Sequence, residues 1–152
     1  AKKQLTWFPS YGNEMRGGSA NCNVVISDEK IASPVVKNPS ILLGMNSVSV
    51  NKYEPLMKKD GYMFVNSSLI DKDKVYRDDV NVVLVPVTEI AQEIKNERAA
   101  NICMLGAMVK KLGIFTKEEF EDGMCEYFEN LGKGKFNSKN IEAFEAGYNY
   151  NC

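Results

Sequence analysis

At 152 residues, with 44% apolar and 26% charged side chains, the chain has the make-up of one globular domain with a single sizeable core. A formal charge of −1 gives it no basic field for nucleic acid or an acidic membrane surface, and no apolar run is long enough to span a bilayer. The start carries no signal-peptide pattern, so the expected location is the cytoplasm, with neither nucleic acid nor membrane as partner.

Residues 5–8 read as a strand that Pro9 ends. Tyr11-Gly12-Asn13-Glu14-Met15-Arg16-Gly17-Gly18 follows. Its three glycines allow positive φ and close approach of the backbone to a ligand, and Glu14 and Arg16 add a charged fork beside exposed N–H groups. The plainer reading is a tight turn with solvated charges. Residues 21–27 are rich in β-branched side chains and predict a second strand, and residues 31–36 are extended around Pro34. The almost wholly apolar run 40–45 suits a strand buried on both faces, as in a parallel sheet. Asn46 or Ser47 then caps a helix over 48–57, with Gly61 as a left-handed stop.

Residues 62–65 and 80–85 predict two more strands, the first leading into Asn66-Ser67-Ser68 and the second into Pro86 and a helix over 89–95 capped by Thr88. A helix over 101–112 places Ile102, Leu105, Met108, Val109 and Leu112 on one face and is closed by Gly113. Thr116-Lys117-Glu118-Glu119 is a capping box opening a helix over 117–130. A last helix spans 138–147, with Ile141, Ala143, Phe144 and Tyr148 inward. Met108 and Met124 read as packing residues, and Asp78-Asp79 and Glu118-Glu119 as solvated charges at a turn and a helix start. Strands alternating with a helix, then a helical half, define an α/β fold: a layered domain with a largely parallel central sheet and a helical C-terminal half, spanning 1–152 without a linker.

Ligands of open α/β sheets bind beyond the carboxyl ends of the strands. If the strands at 5–8, 41–43 and 62–65 are parallel, their following loops converge. Asn46, Ser47 and Ser67 would then join the glycine loop around one crevice fit for a phosphate or carboxylate. Taken one at a time, the same residues are adequate as caps and turn formers. No histidine is present, which removes the commonest general base at neutral pH. Cys22, Cys103, Cys125 and Cys152 are too far apart to suggest a zinc or iron–sulfur site, and Cys22 and Cys103 are expected as buried thiols. No nucleophile–base pair can be assembled, so the chain alone supplies no catalytic residue.

The run from Phe8 to Cys22, Phe-Pro-Ser-Tyr-Gly-Asn-Glu-Met-Arg-Gly-Gly-Ser-Ala-Asn-Cys, resembles the gamma subunit of 2-oxoacid:ferredoxin oxidoreductases, where the pattern is approximately F-P-S-Y-G-P-E-M-R-G-G-T-A-N-C. The likeness continues through Val25-Ile26-Ser27-Asp28, Ser33-Pro34-Val35-Val36, Met45-Asn46, Val65-Asn66-Ser67-Ser68, residues 101–106 and Glu145-Ala146-Gly147-Tyr148. It is most similar to the 2-oxoglutarate branch, with branched-chain oxoacid enzymes next. The resemblance implies an accessory subunit of an enzyme of anaerobic metabolism that decarboxylates a 2-oxoacid, passes the acyl group to coenzyme A as co-substrate and reduces ferredoxin. It further implies that thiamine diphosphate, magnesium and 4Fe–4S clusters belong to partner subunits: alpha and beta subunits for the thiamine cofactor and a ferredoxin-like subunit for the clusters. No cofactor is expected on this chain alone. By motif position, Tyr11, Gly12, Glu14, Arg16, Gly17, Gly18 and Asn21 carry over as residues near substrate or coenzyme A, with Asn46 and Ser67 added from the loops above. Asn13 stands where the family has proline.

Family members begin with a further strand, a glycine-rich turn and a helix, so the domain is expected to be incomplete at its start relative to the family. A sheet built from strands at 5–8, 41–43, 62–65 and 82–85 would then lack a member, and the chain is expected to self-associate or to be marginally stable. The competing class is a stand-alone anion- or nucleotide-binding regulatory domain.

Overall fold

Apolar runs of four to five residues with β-branched side chains form the inner strands of a parallel sheet, where both faces must be covered. The computed structural model describes residues 3–11 and 20–151. In it, β3 (Ile41–Gly44), β4 (Tyr62–Asn66) and β5 (Asn81–Val85) form a parallel sheet in the order β3-β4-β5. Leu43 pairs with Phe64 and Phe64 with Val83, so apolar side chains of all three strands share a face. The strand buried on both faces is β4, whereas β3 begins with an exposed Ile41 at the edge of this sheet; the expectation for 40–45 is corrected accordingly.

Alternation along β4 divides the core. Met63 and Val65 point to one side, where they meet Val50, Met57 and Val80. Phe64 points to the other, joining Val83, Val85, Val87, Cys103, Met104 and Ala143. The first side is covered by α1 (Ser47–Tyr53), which Asn46 caps by accepting from Ser49 N–H at 2.9 Å. Pro55 lies in a 3-10 turn, Glu54–Leu56, that replaces the last turn expected of this helix. The left-handed residue after it is Asp60, not Gly61. Gly61 is needed for another reason: a Cβ there would stand 2.7 Å from the Ser40 carbonyl oxygen.

The second side is covered by α2 (Val87–Glu93), α3 (Ala100–Leu112) and α5 (Asn137–Tyr148). The inner face of α3 consists of Cys103, Met104, Gly106, Ala107 and Val109, while Ile102, Leu105, Met108 and Leu112 lie half-buried on its flanks. The face expected from the large side chains is thus rotated. Close crossing of α5 selects small residues, since a Cβ on Gly147 would overlap the Cys103 carbonyl and one on Gly106 the Phe144 carbonyl. Gly113 closes α3 at φ 60°. Thr116 and Glu119 form the expected capping box at the start of α4 (Lys117–Asn130).

The first two strands stand apart from this sheet. β1 (Gln4–Tyr11) and β2 (Ala20–Ser27) pair antiparallel, with Trp7 opposite Val24 and Leu5 opposite Ile26. The expectation that residues 5–8 join the parallel sheet is therefore wrong: among the described residues β1 pairs only with β2, antiparallel and in a sheet of its own. Leu5 and Trp7 remain 65% and 62% exposed. Cys22 lies on the same exposed face, contrary to the buried thiol expected.

Candidate functional site

The carboxyl ends of β3, β4 and β5 lie side by side because the three strands are parallel and in register. Asn66 ends β4 and is only 1% exposed, so its amide must find partners within the protein. Its Nδ2 donates to the Met45 carbonyl at 3.2 Å and to Thr88 Oγ1 at 2.9 Å, while Oδ1 accepts from Ser68 N–H. One side chain thus ties the loop after β3 to the start of α2. Thr88 serves this contact and not the cap assigned to it; Pro86 occupies the cap position of α2. Ser47 donates to the Leu69 carbonyl at 3.0 Å, joining the start of α1 to the turn that follows β4.

The structure therefore brings Asn46, Ser47 and Ser67 to one rim, with Asn46 engaged as the cap of α1. Asn46, Ser47 and Ser67 contribute amide and hydroxyl groups to this rim, and beside Ser47 lie Asp71, Asp73 and Lys74. Gly12, Glu14, Arg16, Gly17 and Gly18 lie outside the described residues, as does the side chain of Tyr11. Asn21, which follows the glycine loop, donates through Nδ2 to Tyr53 Oη at 2.8 Å. Tyr53 closes α1 at the end opposite Asn46 and Ser47, so β2 is fixed to the far end of that helix. Convergence of all three loops through parallel strands fails at the first of them; the second and third do converge.

Behind α1 lies a charged network that the sequence did not single out. Glu54 Oε2 pairs with Lys74 Nζ at 2.8 Å, and Oε1 accepts from Arg77 N–H at 2.8 Å. Arg77 then grips Asp79 at 2.8 and 2.7 Å and donates to the carbonyls of Glu54 and Met57. The guanidinium's hydrogen bonds hold the Asp79 carboxyl below its usual range, so Asp79 is not merely a solvated turn charge. No local pattern marks these residues, because Glu54 and Arg77 meet only after the chain has passed through β4. Their effect is to fix the long loop between β4 and β5 against the last turn of α1, at the edge of the sheet opposite the rim.

Among the described residues, the thiols do not form a cluster. Cys22 is on the hairpin, Cys125 on α4 and Cys103 within the core, where burial pushes its pKa up to about 11. Among the described residues, no three His, Cys, Asp or Glu side chains come together to hold a metal ion, and they do not fit an iron–sulfur cluster. No helix among them is long and apolar enough to cross a membrane.

The chain and its doubly covered parallel sheet match a known family. The family model for pyruvate ferredoxin/flavodoxin oxidoreductase matches residues 1–150, and the chain belongs to that family. It is 38% identical over 147 residues to the 2-oxoglutarate synthase subunit KorC of Methanocaldococcus jannaschii, covering 96% of this chain and 76% of that protein. It is 35% identical over 147 residues to the ketoisovalerate oxidoreductase subunit VorA of Methanothermobacter marburgensis, covering 95% of this chain but only 30% of VorA. The gamma subunit of a keto/oxoacid ferredoxin oxidoreductase from Geobacter sulfurreducens superposes with a TM-score of 0.74 at 28% identity, over 96% of this chain and 79% of that one. The likeness to gamma subunits stated from the sequence is upheld, as is the fold class.

Proposed function

We propose that this chain is the gamma subunit of a 2-oxoacid:ferredoxin oxidoreductase whose oxoacid is 2-oxoglutarate. The observation that carries the reading is the alignment with KorC along 96% of the chain, joined to the family match over residues 1–150. The 35% identity to VorA makes ketoisovalerate the competing substrate. Thiamine diphosphate and the electron-carrying clusters, supplied by partner subunits, would perform decarboxylation and electron transfer. The role of this chain is to shape and charge the wall on which coenzyme A lies. Arg16 is the one cation of the glycine loop, and it would meet an anionic group of coenzyme A or a partner carboxylate. Asn46 and Ser67 would orient the less charged part of the same ligand.

The test is the reconstituted complex, assayed for coenzyme A-dependent reduction of ferredoxin. The wild-type complex should use 2-oxoglutarate with a higher kcat/KM than ketoisovalerate. A charge-assisted contact is worth about 1.5–3 kcal/mol, so Arg16→Ala should lower kcat/KM for coenzyme A on the order of tenfold or more. A preference for ketoisovalerate would overturn the substrate, and unchanged constants in the variant would overturn the role of Arg16.

A further inference from the structure

Helix α4 is fastened on one side only. Phe120 stacks on Phe144 of α5 at 4.9 Å, Lys117 pairs with Glu145, and Asn137 Nδ2 donates to the Cys125 carbonyl at 3.3 Å. On the side toward α3 a cleft of about 430 Å³ stays open, lined by Ile102 and Leu105 of α3 and Phe120, Gly123, Met124 and Tyr127 of α4. Tyr127 is 60% exposed at its mouth. Among the described residues nothing covers this apolar strip.

Two features identify what would. Gly123 sits mid-helix, where glycine costs about 1 kcal/mol relative to alanine, yet a Cβ there would meet nothing within 4 Å. Internal packing therefore does not require the glycine; it lies between Glu119 and Tyr127 on the exposed lip of the cleft, above the half-buried Phe120 and Met124, and its lack of a side chain lets another backbone approach closely. The second feature is charge. Helix α4 carries six carboxylates and one lysine, a formal −5 in a chain whose total is −1. Glu119 lines the cleft, and Glu126, two turns on, rises on the same side of the helix.

We infer that the cleft between α3 and α4 is a docking groove for a basic amphipathic helix of a partner polypeptide, lying across Gly123. Its apolar residues would fill the space between Leu105, Met124 and Tyr127, and its lysines or arginines would meet Glu119 and Glu126. A second copy of this chain is disfavoured as occupant, since two α4 helices would bring −5 against −5. The inference rests on the proposed function only in taking the helix from a partner chain. Its test needs neither oxoacid nor coenzyme A, so either reading can fail alone.

The probe is a synthetic helix of ~18 residues with leucine at i, i+4 and i+7 and lysine on the flanks. It is compared with the same peptide bearing glutamate in place of lysine, by calorimetry and by the methyl resonances of Ile102, Leu105 and Met124. The lysine peptide should bind at least about tenfold more tightly at low salt, and the gap should shrink in ~0.5 M salt. Gly123→Leu, which fills open space and favours the helix, should weaken that binding at least about tenfold while leaving the melting temperature as high as wild type. Equal affinity for the two peptides, or undiminished binding by Gly123→Leu, would overturn the proposal. A dimer that Gly123→Leu disperses would place a second copy in the groove and overturn it equally.

Discussion

Gly147→Ala is expected to be among the most destabilising single methyl additions in the molecule. The new Cβ would overlap the carbonyl group of Cys103, which belongs to a helix backbone and cannot rotate away. Relief requires α3 and α5 to part, loosening the cluster of Cys103, Met104, Ala107, Ala143 and Phe64. Overpacking costs typically 1–3 kcal/mol, and a backbone clash belongs at the upper end, so we expect a loss of about 3 kcal/mol. That corresponds to a melting temperature roughly 6–12 °C lower. Gly123→Ala supplies the control of opposite sign. It is also a helical glycine, but it faces open space, and the substitution should stabilise by about 0.5–1 kcal/mol. Urea unfolding of both variants measures the contrast. A Gly147→Ala protein as stable as wild type would mean that the two helices do not cross at this distance.

Glu54→Ala should cost a comparable amount by a different route. Glu54 is buried and satisfies both Lys74 Nζ and Arg77 N–H, and the Lys74 side chain is itself only 16% exposed. Removing one partner of a buried ion pair leaves the other charge uncompensated, at a cost of about 3–5 kcal/mol. Glu54→Gln keeps an acceptor for Arg77 N–H and should lose less. Replacing Lys74 by methionine in the alanine background should recover part of the loss, because no orphaned ammonium then remains. The double-mutant cycle in urea reads the coupling directly. If Glu54→Ala changes stability by less than about 0.5 kcal/mol, the range of ordinary surface substitutions, the network does not anchor the loop between β4 and β5.

How much of this was legible in the sequence depends on how far apart the partners lie. The start of α4 follows from Thr116 and Glu119, three residues apart, and the structure reproduces the span 117–130. The short apolar runs that become β3, β4 and β5 announce themselves for the same local reason. Residues 5–8 read as a strand, and they form one, but strand propensity does not name a partner, and theirs, β2, lies across a glycine loop. Helix periodicity weighs large side chains and so points to a rotated inner face of α3, whereas the crossing with α5 is decided by Gly106, Cys103 and Gly147. At the candidate site, Asn46 and Ser67 were visible as polar residues after strands. The clamp made by Asn66 on Met45 and Thr88 joins three distant segments and has no sequence signature. Tyr53, which holds Asn21, was missed for that reason too.

The central claim, that this chain works as a subunit and not alone, is tested most directly by affinity purification of the tagged chain from cells expressing the neighbouring genes. The account predicts stoichiometric recovery of thiamine-diphosphate-binding and iron–sulfur subunits. The recovered complex should reduce ferredoxin with 2-oxoglutarate and coenzyme A, and omission of this chain should abolish that activity. Recovery of the chain by itself, together with full activity of the remaining subunits in its absence, would contradict the account.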